Sequence, residues 1–223
     1  MIHSRRAFFR KTLTVGAAAA FSDLTAGLAA SAQTTLSPEA ALQQLIDGNR
    51  RFVEGRMTSF AEDLEMLKAK TAEKQEPFAA VLSCADSRVP VELIFDQSIG
   101  HLFVTRVAGN IATSAIIASL EYGAAVLGTR AIVVLGHANC GAVKASIEAK
   151  AVPGQISALY PYIRPAVDQA GSDLEAAIKA NARIQAALLR QSSPVLAEEI
   201  KQHRLKIVAA YYDLASGSVS LLD

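Results

Sequence analysis

Hydrophobic positions along the chain follow two different spacings. Four short runs of consecutive apolar residues predict buried strands, at residues 78–84, 101–107, 131–136 and 205–211. Between these runs the apolar residues recur at helical spacing, most clearly over residues 111–127 and 140–150. Because buried strands that alternate with helices are typical of an α/β fold, we predict a mainly parallel β-sheet of four to five strands flanked by helices.

A helix is expected before the first strand. Ser37 is a favourable N-cap and Pro38 suits the first helical position. A second amphipathic stretch covers residues 61–73. No repeat or low-complexity linker follows Gln33, so residues 33–223 are expected to form one domain.

The C-terminal third is predicted to be mostly helical. One helix is expected over residues 155–169, with breaks at Pro161 and Pro165 because a proline removes a backbone N–H and clashes with the preceding turn. Helical spacing resumes over residues 172–203, where Pro194 starts the last piece. The chain then ends in a strand, a turn and a short strand.

The first 32 residues are predicted to be an export signal. Arg5 and Arg6 belong to a basic start, which a weakly apolar stretch and the small residues before Gln33 follow. The paired arginines resemble a twin-arginine signal, so we expect folded export, cleavage after Ala32 and a periplasmic location in a bacterium. An N-terminal anchor is the alternative, but Asp23 leaves no apolar stretch near the ~20 residues that span a bilayer.

Charge and composition exclude several classes of protein. The chain of 223 residues has 22 Lys and Arg against 21 Asp and Glu, but four of the bases and one acid lie in the first 32 residues, which leaves 18 against 20. This balance, without a basic run, gives no reason to expect nucleic-acid binding. The 51% hydrophobic and 19% charged content excludes a disordered chain, and two cysteines are too few for a disulfide scaffold.

Chemistry-bearing residues follow the first and third apolar runs. Positions two apart in an extended chain face the same way, so Cys84, Asp86 and Arg88 can converge at the carboxyl end of the first strand. His137 and Cys140 follow the third run, and their spacing on a tight turn entering a helix brings both side chains to one face. The helix N-terminus would also favour a thiolate at Cys140.

Cys84, His137 and Cys140 form a ligand set suited to Zn²⁺. The chain has no further cysteine, and His101 and His203 lie in no comparable arrangement. Three protein ligands leave the fourth position to water, which is typical of a catalytic rather than a structural zinc site.

Asp86 competes for that fourth position. If Asp86 pairs with Arg88, the fourth zinc position stays open. If the pair breaks, Asp86 could bind the zinc and close the site.

Two other interpretations stay open from the residues alone: a disulfide between Cys84 and Cys140, and a purely structural Asp86–Arg88 ion pair.

These motifs resemble those of the β-class carbonic anhydrases. Residues 84–88 (Cys-Ala-Asp-Ser-Arg) resemble the family's first zinc motif and residues 137–141 (His-Ala-Asn-Cys-Gly) its second. Further similar segments are residues 48–52, 106–110, 119–122 and 210–217. The resemblance extends over residues 37–222.

The resemblance implies one zinc ion per chain on Cys84, His137 and Cys140, with an Asp86/Arg88 dyad beside it. The implied reaction is the reversible hydration of carbon dioxide to bicarbonate and a proton, through a hydroxide that zinc makes available near neutral pH. Asp86 would orient that hydroxide and would itself be held by Arg88.

The resemblance also implies a substrate pocket lined by Gln75, Phe103 and Tyr122. Gln75 would reach the site of a neighbouring subunit, because the family forms homodimers that often pair into tetramers.

Three alternatives to carbonic anhydrase activity remain at this point. The same scaffold could hydrolyse carbonyl sulfide or carbon disulfide. The chain could also be an exported zinc-binding protein without catalysis, in which case Asp86 fills the fourth position permanently. A thiol redox protein is the weakest alternative, since Cys84 and Cys140 are far apart in the sequence and form no C-x-x-C pair.

Overall fold

The computed structural model describes residues 34–59 and 64–222. The predicted export signal over residues 1–32 therefore lies outside the described residues. Within these two ranges, no helix combines the length and the apolar character that crossing a bilayer requires.

Five strands of the described chain form one sheet, in the order β2-β1-β3-β4-β5. Their bounds are β1 Ala79–Ser83, β2 Leu102–Arg106, β3 Ala131–His137, β4 Lys206–Tyr212 and β5 Val219–Leu221. The first four strands are parallel, and β5 pairs antiparallel with β4 at the edge. The α/β fold class and the mainly parallel sheet predicted from the sequence are confirmed.

Helices connect the strands. They are α1 Pro38–Val53, α2 Leu64–Thr71, α3 Val91–Ile94, α4 Ser114–Ala125, α5 Gly141–Glu148, α6 Tyr160–Ala170, α7 Leu174–Ser192 and α8 Pro194–Lys201, with a 3-10 helix at Ile156–Leu159. The helix start expected at Ser37 is confirmed, because the Ser37 hydroxyl accepts a hydrogen bond from the Ala40 amide at 3.1 Å.

The sheet is buried on both faces. Alternate residues of β3 point to opposite sides, so that Val133 and Leu135 join a core with α1 and α3. Ile132 and Val134 join a second core with α4, α7 and α8. Since β1 and β3 are parallel neighbours, the loops that follow them meet at the carboxyl edge of the sheet.

Two predicted helix boundaries were wrong. The break expected at Pro161 is found next to it, because the 3-10 helix ends at Leu159 and α6 begins there with Pro161 in its first turn. The break expected at Pro165 is absent: this proline removes one hydrogen bond, but the fully buried Ile163 holds α6 in place. The helix predicted from residue 111 begins at Ser114, since Ile111 packs into the core from the preceding loop. The short helix α3 was not predicted.

Candidate metal centre

Two loops at the carboxyl edge of the sheet bring three metal-binding side chains together. Cys84 follows β1 directly, His137 ends β3, and Cys140 is the N-cap of α5. One ligand atom from each lies within 4.8 Å of the other two, and all three residues are buried. The turn between His137 and Cys140 depends on Asn139, whose φ of 53° lies in the left-handed region that asparagine tolerates better than most residues.

His137 has one nitrogen left free to bind a metal. Its Nδ1 lies 2.9 Å from the carbonyl oxygen of Ala138. Because a carbonyl can only accept, Nδ1 carries the hydrogen and Nε2 carries a lone pair. Nε2 is buried without a hydrogen-bond partner. An unpaired buried nitrogen costs free energy unless a ligand binds it, so this atom points to a metal.

The two cysteine sulfurs are not joined by a disulfide. The hydrogen bond from the Cys140 thiol lowers the pKa of Cys84 although burial opposes it, and the Gly109 amide acts in the same direction. The same hydrogen bond, together with burial, raises the pKa of Cys140. The shared hydrogen bond therefore makes Cys84 the more acidic of the two thiols, and a metal ion would bind both sulfurs as thiolates.

Asp86 lies beside these three side chains and is paired with Arg88. Its Oδ1 accepts hydrogen bonds from the backbone N–H and the Nε of Arg88, both at 2.9 Å, and its Oδ2 accepts one from an Arg88 terminal nitrogen at 2.7 Å. The Arg88 side chain, against the effect of burial, holds the pKa of Asp86 well below its usual range. Asp86 Oδ2 is 3.9 Å from His137 Nε2, so a charged acceptor stands next to the ligand set.

The predicted pocket residues do not gather around this ligand set within one chain. Phe103 pairs with Ala80, four residues before Cys84, which places it ~13 Å along the strand from the cysteine. Tyr122 is exposed and its ring centroid is 6.3 Å from that of Phe103. Gln75 is exposed and precedes β1, at the opposite end of the strand from Cys84.

Two residues that the sequence analysis did not assign to the site also support it. Arg106 donates from Nε to the carbonyl oxygen of Cys84 at 2.9 Å and from a terminal nitrogen to that of Asp86 at 2.5 Å. Gly109, with a φ of 77°, donates its N–H to Cys84 Sγ at 3.3 Å. The Gly-Asn dipeptide at 109–110 was an available turn signal, but nothing local indicated that the turn meets a sulfur 25 residues earlier in the chain.

Comparison with known proteins identifies the family. The sequence model of the carbonic anhydrase family matches residues 79–219. Carbonic anhydrase 2 of Mycobacterium tuberculosis is 35% identical over 201 residues, which cover 84% of this chain and 94% of that protein. The carbonic anhydrase of Pseudomonas aeruginosa is 34% identical over 199 residues, covering 82% and 88%. These names give no support to the alternative of carbonyl sulfide or carbon disulfide hydrolysis.

Solved structures agree with this assignment. The chain is similar to the β-carbonic anhydrase CcaA, with a TM-score of 0.65, 28% identity and coverage of 81% of this chain and 86% of that one. It is also similar to a Coccomyxa β-carbonic anhydrase solved with acetazolamide, with a TM-score of 0.65, 25% identity and the same two coverages, 81% and 86%. By sequence and by fold, the chain belongs to the β-class carbonic anhydrases.

Proposed function

We propose that this chain catalyses the reversible hydration of carbon dioxide to bicarbonate and a proton, with one zinc ion held by Cys84, His137 and Cys140. The observation that carries the proposal is the buried, unpartnered Nε2 of His137, which lies within 4.8 Å of the two buried cysteine sulfurs. Membership of the carbonic anhydrase family supports the reaction.

The donor set fits zinc. Two sulfurs and one imidazole nitrogen are ligands that Zn²⁺ prefers, and three of them leave one position for a reacting molecule. When bound, zinc would make hydroxide available near neutral pH, since it lowers the pKa of the water it binds towards ~7.

The Asp86/Arg88 pair would orient the nucleophile. A carboxylate can only accept hydrogen bonds, so Asp86 Oδ2 would accept the hydrogen of the attacking hydroxide. The lone pair of the hydroxide oxygen would then be free to attack the carbon of carbon dioxide. Arg88 keeps Asp86 charged and fixes the direction of its oxygens. Because Arg88 binds both oxygens, this pairing competes with binding of Asp86 at the fourth zinc position, which favours the open form of the site.

A second copy of the chain would complete the pocket. Gln75, Phe103 and Tyr122 lie away from the Cys84 of their own chain, and the edge strand β2 leaves Phe103 only half-buried. We therefore propose a homodimer, or a tetramer of two dimers, in which these side chains serve a neighbouring site. Size-exclusion chromatography with light scattering would give the mass, and a monomer with full activity would contradict this arrangement.

Residues 1–32 are proposed to direct the folded catalytic domain, residues 33–223, through the twin-arginine export machinery to the periplasm. The basis is the Arg5-Arg6 pair and the small residues that end at Ala32. Replacing both arginines by lysine should retain the full-length protein in the cytoplasm, and N-terminal sequencing of the exported protein should begin at Gln33. A mature protein that begins at Met1 would contradict the proposal.

Stopped-flow measurement of carbon dioxide hydration tests the activity. The zinc-loaded protein should accelerate hydration above the buffer rate between pH 7 and 9, and His137→Ala should abolish both the acceleration and stoichiometric zinc binding. His203→Ala is the matched control, because His203 is exposed and lies outside the ligand set. A wild-type rate no higher than that of buffer would refute the proposed activity.

Zinc analysis combined with thiol titration tests the site independently of activity. One zinc per chain should protect both cysteines from a thiol reagent, and chelation should expose them. If the protein takes up no zinc and both thiols stay reactive when zinc is added, the proposed ligand set is refuted.

A further inference from the structure

Helix α7 carries two amide side chains in the middle of its buried face. Asn181 is 0% exposed and Gln185 is 1% exposed, while their neighbours Ala182, Ala186 and Leu189 form part of the apolar core. Burying an amide costs free energy unless its polar atoms are bonded, so each of these side chains requires partners.

The partners of both amides include one loop. Asn181 donates from Nδ2 to the carbonyl oxygen of Gly109 at 2.8 Å. Gln185 accepts the N–H of Ala112 at Oε1 at 2.9 Å. Gln185 also donates from Nε2 to Asn181 Oδ1 at 3.2 Å and to the carbonyl oxygen of Tyr162 at 3.0 Å, which ties the two amides to each other and to α6. Residues 109–112, between β2 and α4, are thus held at both ends by α7.

This loop ends on the metal centre. The Gly109 N–H donates to Cys84 Sγ at 3.3 Å. This position suits glycine, because its φ is 77° and an added Cβ would lie 2.8 Å from Ile163 Cδ1. A chain of contacts therefore runs from the core of α7 through Gly109 to a sulfur that the proposed zinc site uses.

We propose that Asn181 and Gln185 are positioning residues for the ligand Cys84, which they serve by holding the Gly109 amide against its sulfur. The inference rests on the proposed zinc site. A hydrogen bond to a thiolate draws negative charge away from the sulfur and fixes its direction, so it both weakens donation to the metal and orients the ligand. The effect is transmitted without Asn181 or Gln185 touching the metal or the substrate.

Cobalt substitution provides a test that does not depend on turnover. Cobalt bound by thiolates shows a sulfur-to-metal charge-transfer band, and removing a hydrogen bond from the sulfur should shift that band to lower energy. We expect the shift in Asn181→Leu, together with a loss of zinc affinity of up to ~10-fold in competition with a chelator. This is the lower end of the ~10–100-fold range typical when a direct partner of a ligand is removed, because the variant loosens the Gly109 amide and does not delete it. Gln185→Met, which releases the other end of the loop, should change both readouts in the same direction if Asn181→Leu does not fold.

Asn49 supplies a matched control. It is also a buried asparagine, 5% exposed, which donates from Nδ2 to the carbonyl oxygens of Ile94 at 3.0 Å and Gly217 at 2.9 Å, and its partners are not on the loop that contacts Cys84. Asn49→Leu should lower the free energy of unfolding and leave the charge-transfer band and the zinc affinity unchanged.

The outcomes separate this inference from the proposed function. If the Asn181 and Gln185 variants fold and match the wild type in both readouts, or if Asn49→Leu shifts the band equally, the positioning role is overturned while hydration is unaffected. If the wild type binds cobalt through sulfur, shows the variant shifts and does not hydrate carbon dioxide, the proposed activity fails and the positioning role stands. A wild type without cobalt uptake would overturn both.

Discussion

Replacing Asp96 by asparagine removes a buried negative charge that joins three parts of the chain. The Asp96 side chain is fully buried and accepts hydrogen bonds from Arg51 Nε at 2.5 Å, from the backbone amides of Thr58 and Ser59, each at 2.9 Å, and from the Thr58 hydroxyl at 3.0 Å. Arg51 belongs to α1, so this carboxylate connects α1 with residues 58–59.

The expected cost follows from how much of this pairing the amide can keep. The Asn oxygen can replace Oδ1 and accept the two backbone N–H groups, but its NH₂ group then faces the Arg51 guanidinium, donor against donor. Breaking a fully buried ion pair typically costs about 3–5 kcal/mol. Since 33% of the Arg51 side chain is exposed and water can solvate it in part, we expect Asp96→Asn to lower the free energy of unfolding by about 2–3 kcal/mol.

The cost should depend on pH in a defined direction. Burial alone raises the pKa of Asp96, but the hydrogen bonds from Ser59, Arg51 and Thr58 outweigh it and hold that pKa below its usual range. A carboxyl group whose pKa is lower in the folded than in the unfolded state stabilises the protein above its unfolded pKa of ~4, and this contribution is lost as the pH falls towards the folded value. The difference between wild type and Asp96→Asn should therefore be full at pH 7 and shrink below pH ~4.

Urea unfolding followed by circular dichroism, at fixed protein and zinc concentrations, measures this difference. Zinc loss at low pH affects wild type and variant alike, so the comparison is made on the difference between them. Asp47→Asn is the control, because Asp47 pairs with Arg50 on the same helix with side chains 41% and 60% exposed, and should cost less than ~1 kcal/mol. A cost for Asp96→Asn as small as that of the control, or equal at pH 3 and pH 7, would refute the reasoning.

Three further predictions concern the site and the packing beneath it. Asp86→Asn should retain zinc but lower the rate of carbon dioxide hydration ~10–100-fold, because an amide can present a hydrogen-bond donor to the attacking oxygen. Equal losses of bound metal, measured by metal analysis, and of activity, measured by stopped flow, would count against an orienting role. Cys140→Ser should not bind zinc stoichiometrically in equilibrium dialysis, and a full zinc complement would remove Cys140 from the ligand set. Gly48→Ala should lower the free energy of unfolding, measured by urea titration, by about 1–3 kcal/mol or more, because the alanine Cβ would lie 1.8 Å from the Phe95 carbonyl oxygen. A variant with wild-type stability would show that α1 can shift to make room for the methyl group.

The parts of the fold that could be predicted are those that local sequence determines. The four parallel strands appear as runs of consecutive apolar residues because both faces of the sheet are covered, and all seven residues of β3 are buried. The grouping of the three metal-binding side chains could be predicted for the same reason. Cys84 and His137 lie at the ends of two such runs, and Cys140 lies one turn beyond, so strand positions alone bring them to one edge.

What could not be predicted depends on contacts between distant residues. Ile111 and Ala112 continue the apolar spacing of α4, yet they lie in the loop before that helix. The Ala112 N–H donates a hydrogen bond to the side chain of Gln185, 73 residues further along the chain, and is not used by the helix. The four residues of α3 are too few to show helical periodicity. Pro165 has the local signature of a helix break, but tertiary packing of α6 outweighs the single hydrogen bond that the proline removes.

The strand register adds a constraint on the active protein that the motifs did not contain. Phe103 lies beside Ala80, and Gln75 precedes β1, so neither can approach Cys84 of the same chain without crossing most of a five-residue strand, ~17 Å long. The proposed zinc ligands and the Asp86/Arg88 pair lie together within one chain, whereas the side chains proposed for the pocket do not lie beside them. Zinc binding should then survive dissociation of the subunits and carbon dioxide hydration should not. Dilution of the zinc-loaded protein should accordingly lower the specific activity at a concentration where bound zinc per chain is still constant, and parallel loss of the two would mean that the metal centre itself depends on the partner.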